Sequence, residues 1–236
     1  MRPINRGNSP NIYTNYEEAK PDLVDRLGSY CSYCERRIPT NLAVEHILPK
    51  DDSLGFTHLE NEWTNFLLGC VNCNSAKRIK IISFDQYLLP DRDNTFPYFD
   101  YQENGMVEVV APDDEIARMA QNTLDMVVLN RFEHPNWDST IMFSAIERVG
   151  QRVQAWVQAK DALQDYLDGF TIPRRIAAEA AATGFFSIWM TAFEGHIEVR
   201  KAIIEIFSGT AADCFDDNTD PIYPRPNNGL ENSGKA

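Results

Sequence analysis

The chain has 236 residues, 43% hydrophobic and 24% charged, which is enough apolar content for one substantial core or two small ones and excludes a disordered polymer. The net charge of −13 argues against indiscriminate binding to polyanions, but the excess is uneven. Residues 1–30 carry four basic and four acidic side chains and residues 31–80 six of each, whereas residues 81–236 carry 12 basic against 25 acidic.

Residues 1–30 read as an N-terminal arm and a short helix, interrupted at Pro21 and closed near Gly28. Its first residues lack an apolar signal core, and the most hydrophobic stretch, "GFFSIWMTAF", is too short to span a bilayer and runs into Glu194, so a soluble, cytoplasmic protein is expected.

Residues 31–80 hold four of the five cysteines as two CxxC pairs, Cys31/Cys34 and Cys70/Cys73, with Cys214 far away as a buried thiol. Metal ligation fits that pattern better than disulfides, which are rare in the cytosol. Zinc prefers four thiolate or imidazole ligands in a tetrahedron, and a site closed by four thiolates leaves no position for chemistry, so structural zinc is expected. The 35 residues between Cys34 and Cys70 leave room for functional structure.

In "LAVEHILPK", Val44, Ile47 and Leu48 favour a strand that Pro49 ends, with Glu45 and His46 near its end. Adjacent strand residues face opposite sides, so the pair serves one site only if the strand end twists or bulges. Cleaving a phosphodiester needs a base that takes a proton from water and a divalent cation that neutralises charge on the phosphate, and a neutral His and a carboxylate are the right types. In "WTNFLLGCVNCNSAKRIK", a helix opening at Cys73 would place Asn74, Lys77 and Arg78 on one face, offering a hard amide oxygen and two cations for phosphate. Taken singly, His46 reads as a core histidine, Asn74 as a helix cap, Asn65 as a turn former, and Lys77 and Arg78 as a solvated face.

Residues 81–112 read as an extended segment with a hairpin turn at Asn104-Gly105, packed on the core. Phe96, Tyr98, Phe99 and Tyr101 read as packing residues, and Asp91 and Asp93 as turn formers. Residues 113–209 are helical. The first helix opens on Asp113, Asp114 and Glu115 and buries Ile116, Met119, Ala120, Leu124, Val127 and Val128. The second follows Asp138, with an apolar stripe of Ile146, Val149, Val153, Trp156, Leu163, Leu167 and Phe170, ending at Gly169. The third runs from Pro173 to Gly209 with a break near Gly195. Residues 210–236 have too little apolar content to pack and are expected to be a flexible tail. His58, His134 and His196 lack supporting context and read as structural or exposed.

The order Cys31-x-x-Cys34, Glu45-His46-Ile47-x-Pro49, Trp63-x-Asn65, Cys70-x-x-Cys73-Asn74 and Lys77 resembles an HNH endonuclease of the His-Me finger type. The resemblance implies an α+β fold: a small ββα-metal core braced by the zinc knuckles, followed by a mostly α-helical C-terminal region. It implies His46 as general base, Asn65 as the residue orienting it, and Glu45 and Asn74 as ligands of a catalytic Mg²⁺ or Mn²⁺. The family more often has Asp before the His and His in the last position, so Glu45 and Asn74 are variants. "MRPINRG", "GSYCSYCERRI", "NFLLGCVNCNSAK", "LLPDRDNTFPYF" and "LDMVVLNR" further resemble the HNH subunit of Septu-type bacterial anti-phage systems and their retron-linked relatives. That likeness implies a nuclease effector cutting DNA, or RNA such as tRNA, with an ABC-type ATPase as partner, docked through the acidic residues 113–209. The competing reading is a non-catalytic zinc-knuckle module binding nucleic acid or a protein. Such a module has no need of Glu45, His46, Asn65 and Asn74 together and should carry a more basic surface.

Overall fold

The structure is a computed structural model that describes residues 1–130 and 139–236, without the side chains of residues 52 and 139–143. The expectation for His134 therefore lies outside the described residues. A 3₁₀ turn (Tyr16–Ala19) leads into α1 (Lys20–Leu27), which buries Leu23 and Leu27. Pro21 starts this helix rather than interrupting it, because a proline in the first turn gives up an N–H that has no helical partner.

β1 (Leu42–His46) and β2 (Phe66–Cys70) pair antiparallel, from Leu42 opposite Cys70 to His46 opposite Phe66. α2 (Val71–Lys77) follows β2 directly, completing a ββα unit. It opens at Val71 and not at Cys73, because Cys70 is the cap: its sulfur accepts from the Cys73 N–H.

β3 (Phe99–Tyr101) and β4 (Val107–Val109) form the expected hairpin. Gly105 supplies the left-handed turn conformation at φ +81°, Asn104 Oδ1 accepts from Met106 N, and Trp156 Nε1 donates to Tyr101 O across the interface with the helices.

α3 (Asp114–Val127) is capped by Asp113, whose carboxylate accepts from Ile116 N, and it buries Met119, Ala120, Leu124 and Val127 as the periodicity predicts. α4 (Ser139–Leu167) differs from its predicted stripe. Its inward positions are Ala145, Arg148, Arg152, Ala155, Trp156, Ala159 and Ala162, while Ile146, Leu167 and Phe170 are exposed. The arginines face inward because they donate to the carbonyls of Val128 and Leu129 at the end of α3, and the alanines allow close packing.

The third helical run breaks twice, into α5 (Pro173–Thr183), α6 (Phe186–Ala192) and α7 (Ile197–Ile206). One break is at Gly195, as expected. The other, at Gly184 and Phe185, exists because the chain touches the first cysteine knuckle there: a Cβ on Gly184 would lie 2.7 Å from Arg37 N. Beside it, Glu35 O accepts from Phe185 N, and the Glu35 carboxylate accepts from Ser187 N at 2.8 Å and Ser187 Oγ at 2.6 Å. The helical region is thus fastened to the cysteine knuckle. No helix among the described residues is long and apolar enough to cross a membrane.

Residues 210–236 are packed rather than loose. Asn94 donates to the carbonyls of Cys214 and Ile222, Asn94 N and Arg225 N donate to Ala236 O, and Lys235 pairs with Asp93 at 2.9 Å. The segment wraps the buried loop 90–95 by polar contacts, so its low apolar content misleads. Asp91 and Asp93, expected as turn formers, are buried ion-pair centres, with Asp91 between Arg6 and Arg92.

Candidate metal centre and active site

The sulfurs of Cys31, Cys34, Cys70 and Cys73 lie within 4.8 Å of one another, all buried and none in a disulfide. A tetrahedron with Zn–S bonds of about 2.3 Å has sulfur–sulfur edges of roughly 3.8 Å. The Cys34 and Cys70 sulfurs are 3.7 Å apart, so the donor set fits zinc in type, number and spacing. Backbone N–H groups of Cys70 and Cys73 donate to the Cys31 and Cys70 sulfurs, which favours thiolates.

A groove of about 850 Å³ is lined by Glu45, His46 and Asn74, with Lys50 and Arg78 on its walls. Glu45 and His46 reach the same groove because β1 ends at His46, and the chain turns away through Ile47, whose N–H donates to Asn65 O. Asn74 reaches it from α2. Gly69 lets the two metal-ligand candidates approach: a Cβ there would sit 3.1 Å from that of Glu45 and 3.6 Å from that of Asn74.

His46 Nε2 lies 2.8 Å from Glu60 O. A carbonyl only accepts, so Nε2 carries the proton and Nδ1 keeps the lone pair. Burial holds His46 below its ordinary pKa of 6.5, against the pull of the Glu60 carbonyl, so the ring is neutral near pH 7. Its faces are fixed by the Tyr16 ring at 4.8 Å and the Phe66 ring at 5.3 Å, both edge-on.

Asn65 does not touch the His46 ring. Its amide accepts from Leu48 N at 2.8 Å and donates to Leu48 O at 3.0 Å and Leu59 O at 3.2 Å. It ties together the strand end that carries His46 and the loop whose Glu60 carbonyl orients the ring, so any hold on the histidine acts through the backbone.

Burial pushes the Glu45 carboxyl above its ordinary 4.5, and Lys77 opposes that. Lys77, expected at phosphate, is 1% exposed, with its ammonium 2.7 Å from His46 O and 3.0 Å from Glu45 Oε1. A phosphate in the groove cannot reach it. Glu45 Oε1 is buried and has no hydrogen-bond partner beyond that ion pair, which leaves acceptor capacity for a hard cation. Arg78, by contrast, is exposed at the groove with a left-handed backbone, φ +51°.

The reading of residues 31–80 alone misses the wall contributed by the N-terminal arm. Tyr16, Glu17 and Lys20 line the groove, and Lys50 lies 3.5 Å over the Tyr16 ring while pairing with Glu60. An aromatic residue four places before a lysine in a short helix carries no signal of a distant histidine. His58 is exposed and His196 packs on Tyr166 and Phe193, so neither joins a site. Cys214 is buried away from the zinc cluster, and burial pushes its thiol up to about 12.

Residues 31–79 match the family model described as HNH endonuclease. The matched segment spans both knuckles, β1, β2 and α2, and a domain of this kind acts on nucleic acid as a metal-dependent nuclease. No curated protein and no solved structure matches the chain.

Proposed function

We propose that this protein is an endonuclease that hydrolyses phosphodiester bonds, with His46 as general base and Glu45 and Asn74 holding a catalytic divalent cation. The observation that carries the reading is the 2.8 Å contact of His46 Nε2 with Glu60 O, which leaves Nδ1 as the acceptor nitrogen in the same groove as a carboxylate and an amide. Nδ1 takes the proton from water as its oxygen attacks phosphorus; the ester P–O bond on the opposite side breaks, and the leaving oxygen takes a proton from solvent. A divalent cation, Mg²⁺ or Mn²⁺, supplies charge neutralisation at the phosphate when bound. Arg78 meets the strand backbone from the groove wall. Zinc on the four cysteines holds the ββα unit and takes no part in the reaction.

DNA is the favoured substrate and structured RNA such as tRNA the second. The likeness to the Septu-type subunit supports an effector of bacterial anti-phage defence with an ABC-type ATPase as partner. The charge distribution supports a division of labour, with residues 31–80 cutting and the acidic residues 113–209 docking on a basic partner. The test is incubation of supercoiled plasmid and of total tRNA with the zinc-loaded protein, with Mg²⁺, Mn²⁺ or no added divalent cation, each with and without the ATPase. Metal-dependent nicking of plasmid is expected; full cutting without added cation, with only zinc bound, contradicts the role given to Glu45 and Asn74.

A further inference from the structure

Lys77 is placed where no phosphate contact can use it, yet its position is closely specified. It leaves α2 three residues after Asn74, on the same helix face, and its ammonium is buried against the carbonyl of His46 and the carboxylate of Glu45. The two partners are consecutive residues, the base and the metal-ligand candidate, at the end of β1.

In the free protein the buried Glu45 carboxylate is held by the Lys77 ammonium at 3.0 Å. A divalent cation held by Glu45 and Asn74 would come to lie beside that same ammonium, and like charges in a poorly screened site repel strongly. The Lys77 ammonium then competes with the divalent cation for Glu45 Oε1.

We propose that Lys77 is a resident counter-ion of Glu45 that the divalent cation displaces, so that it sets how tightly the metal is held. This rests on the nuclease reading and deepens it: Lys77 is a positioning residue that occupies the Glu45 carboxylate and so weakens the site's hold on metal. The free protein then binds the cation poorly, and the negative charge of a substrate phosphate in the groove tips the balance toward loading.

The test is a titration of zinc-loaded protein with Mn²⁺, followed by the electron paramagnetic resonance of free Mn²⁺, in the absence of nucleic acid. Lys77→Met is expected to bind Mn²⁺ about tenfold more tightly than wild type, because a positive charge has been removed beside the site, and Lys77→Arg is expected to stay near wild type. Glu45→Gln is expected to lose the binding. Unchanged or weaker affinity in Lys77→Met, with binding lost in Glu45→Gln, overturns the inference and leaves the nuclease reading standing. Unchanged binding in Glu45→Gln overturns the metal site itself. Should Lys77→Met fail to fold, the wild type decides through the ¹⁵N resonance of the Lys77 ammonium. A shift on adding Mg²⁺ supports displacement, and an unmoved resonance at saturating Mg²⁺ contradicts it.

Discussion

Stripping zinc with a strong chelator, or replacing Cys73 by Ala, is expected to unfold residues 31–80 and to collapse the cooperative melt of the whole chain. Four buried sulfurs without a cation leave the ββα unit with a polar hole at its centre. Apparent zinc binding energies of about 10–16 kcal/mol in small zinc domains match or exceed the roughly 5–15 kcal/mol that separates a folded domain from its unfolded ensemble. The damage should spread, because Glu35, next to Cys34, carries the contacts that seat α6. Far-ultraviolet circular dichroism against temperature, with zinc release followed by a colorimetric chelator, checks this. A native melt in metal-free protein would show that the cysteines are not the brace.

Asp91→Ala is expected to be the most damaging single change outside the zinc cluster. The carboxylate is buried against Arg6, at 3.0 Å, and against Arg92, and those two arginines are themselves buried. Losing one partner of a buried ion pair costs about 3–5 kcal/mol, because the remaining charges stay behind unpaired. In a chain of this size that amounts to a fall in Tm of roughly 6–20 °C. Burial alone would push Asp91 up, but Arg6 and Arg92 outweigh it and hold the carboxyl below its ordinary 3.8. A depressed carboxyl contributes stability above its unfolded pKa, and that contribution disappears as pH falls through the folded value. Wild type should therefore lose stability on acidification below about pH 3.8, and the variant should lack that part of the fall. Melts from pH 6 to about pH 2.5 measure both effects. An unchanged Tm in Asp91→Ala would mean that the arm, the loop 90–95 and the C-terminal segment are held by other contacts.

The ββα unit was legible in outline because the paired cysteines and the apolar run around Glu45-His46 carry local signals, but its ends were not: the strand stops at His46, three residues before Pro49, and the helix opens at Val71 because the Cys70 sulfur caps it. The acidic start of α3 and the Asn104-Gly105 turn were legible for the same reason. What was hidden depends on partners distant in sequence. Nothing local to Lys77 says that its ammonium meets Glu45 and not solvent. Arg148 and Arg152 face inward only because the end of α3 presents carbonyls there, which moves the buried stripe of α4 off the apolar residues. Gly184 breaks a helix because of Arg37, and the polar C-terminal segment is ordered by buried groups of residues 90–95. Within the candidate site, the residue types were readable and the arm that walls the groove was not.

Whether His46 is the base of a hydrolytic site is decided by metal-dependent plasmid nicking with wild type and His46→Ala side by side, with the zinc content and melting temperature of both measured in the same preparations. Cleavage is expected to fall by at least about 100-fold in the variant, with zinc still bound and the melt close to wild type. Equal cleavage by the two proteins would contradict that role, and loss of zinc or of fold in the variant would make His46 a structural residue.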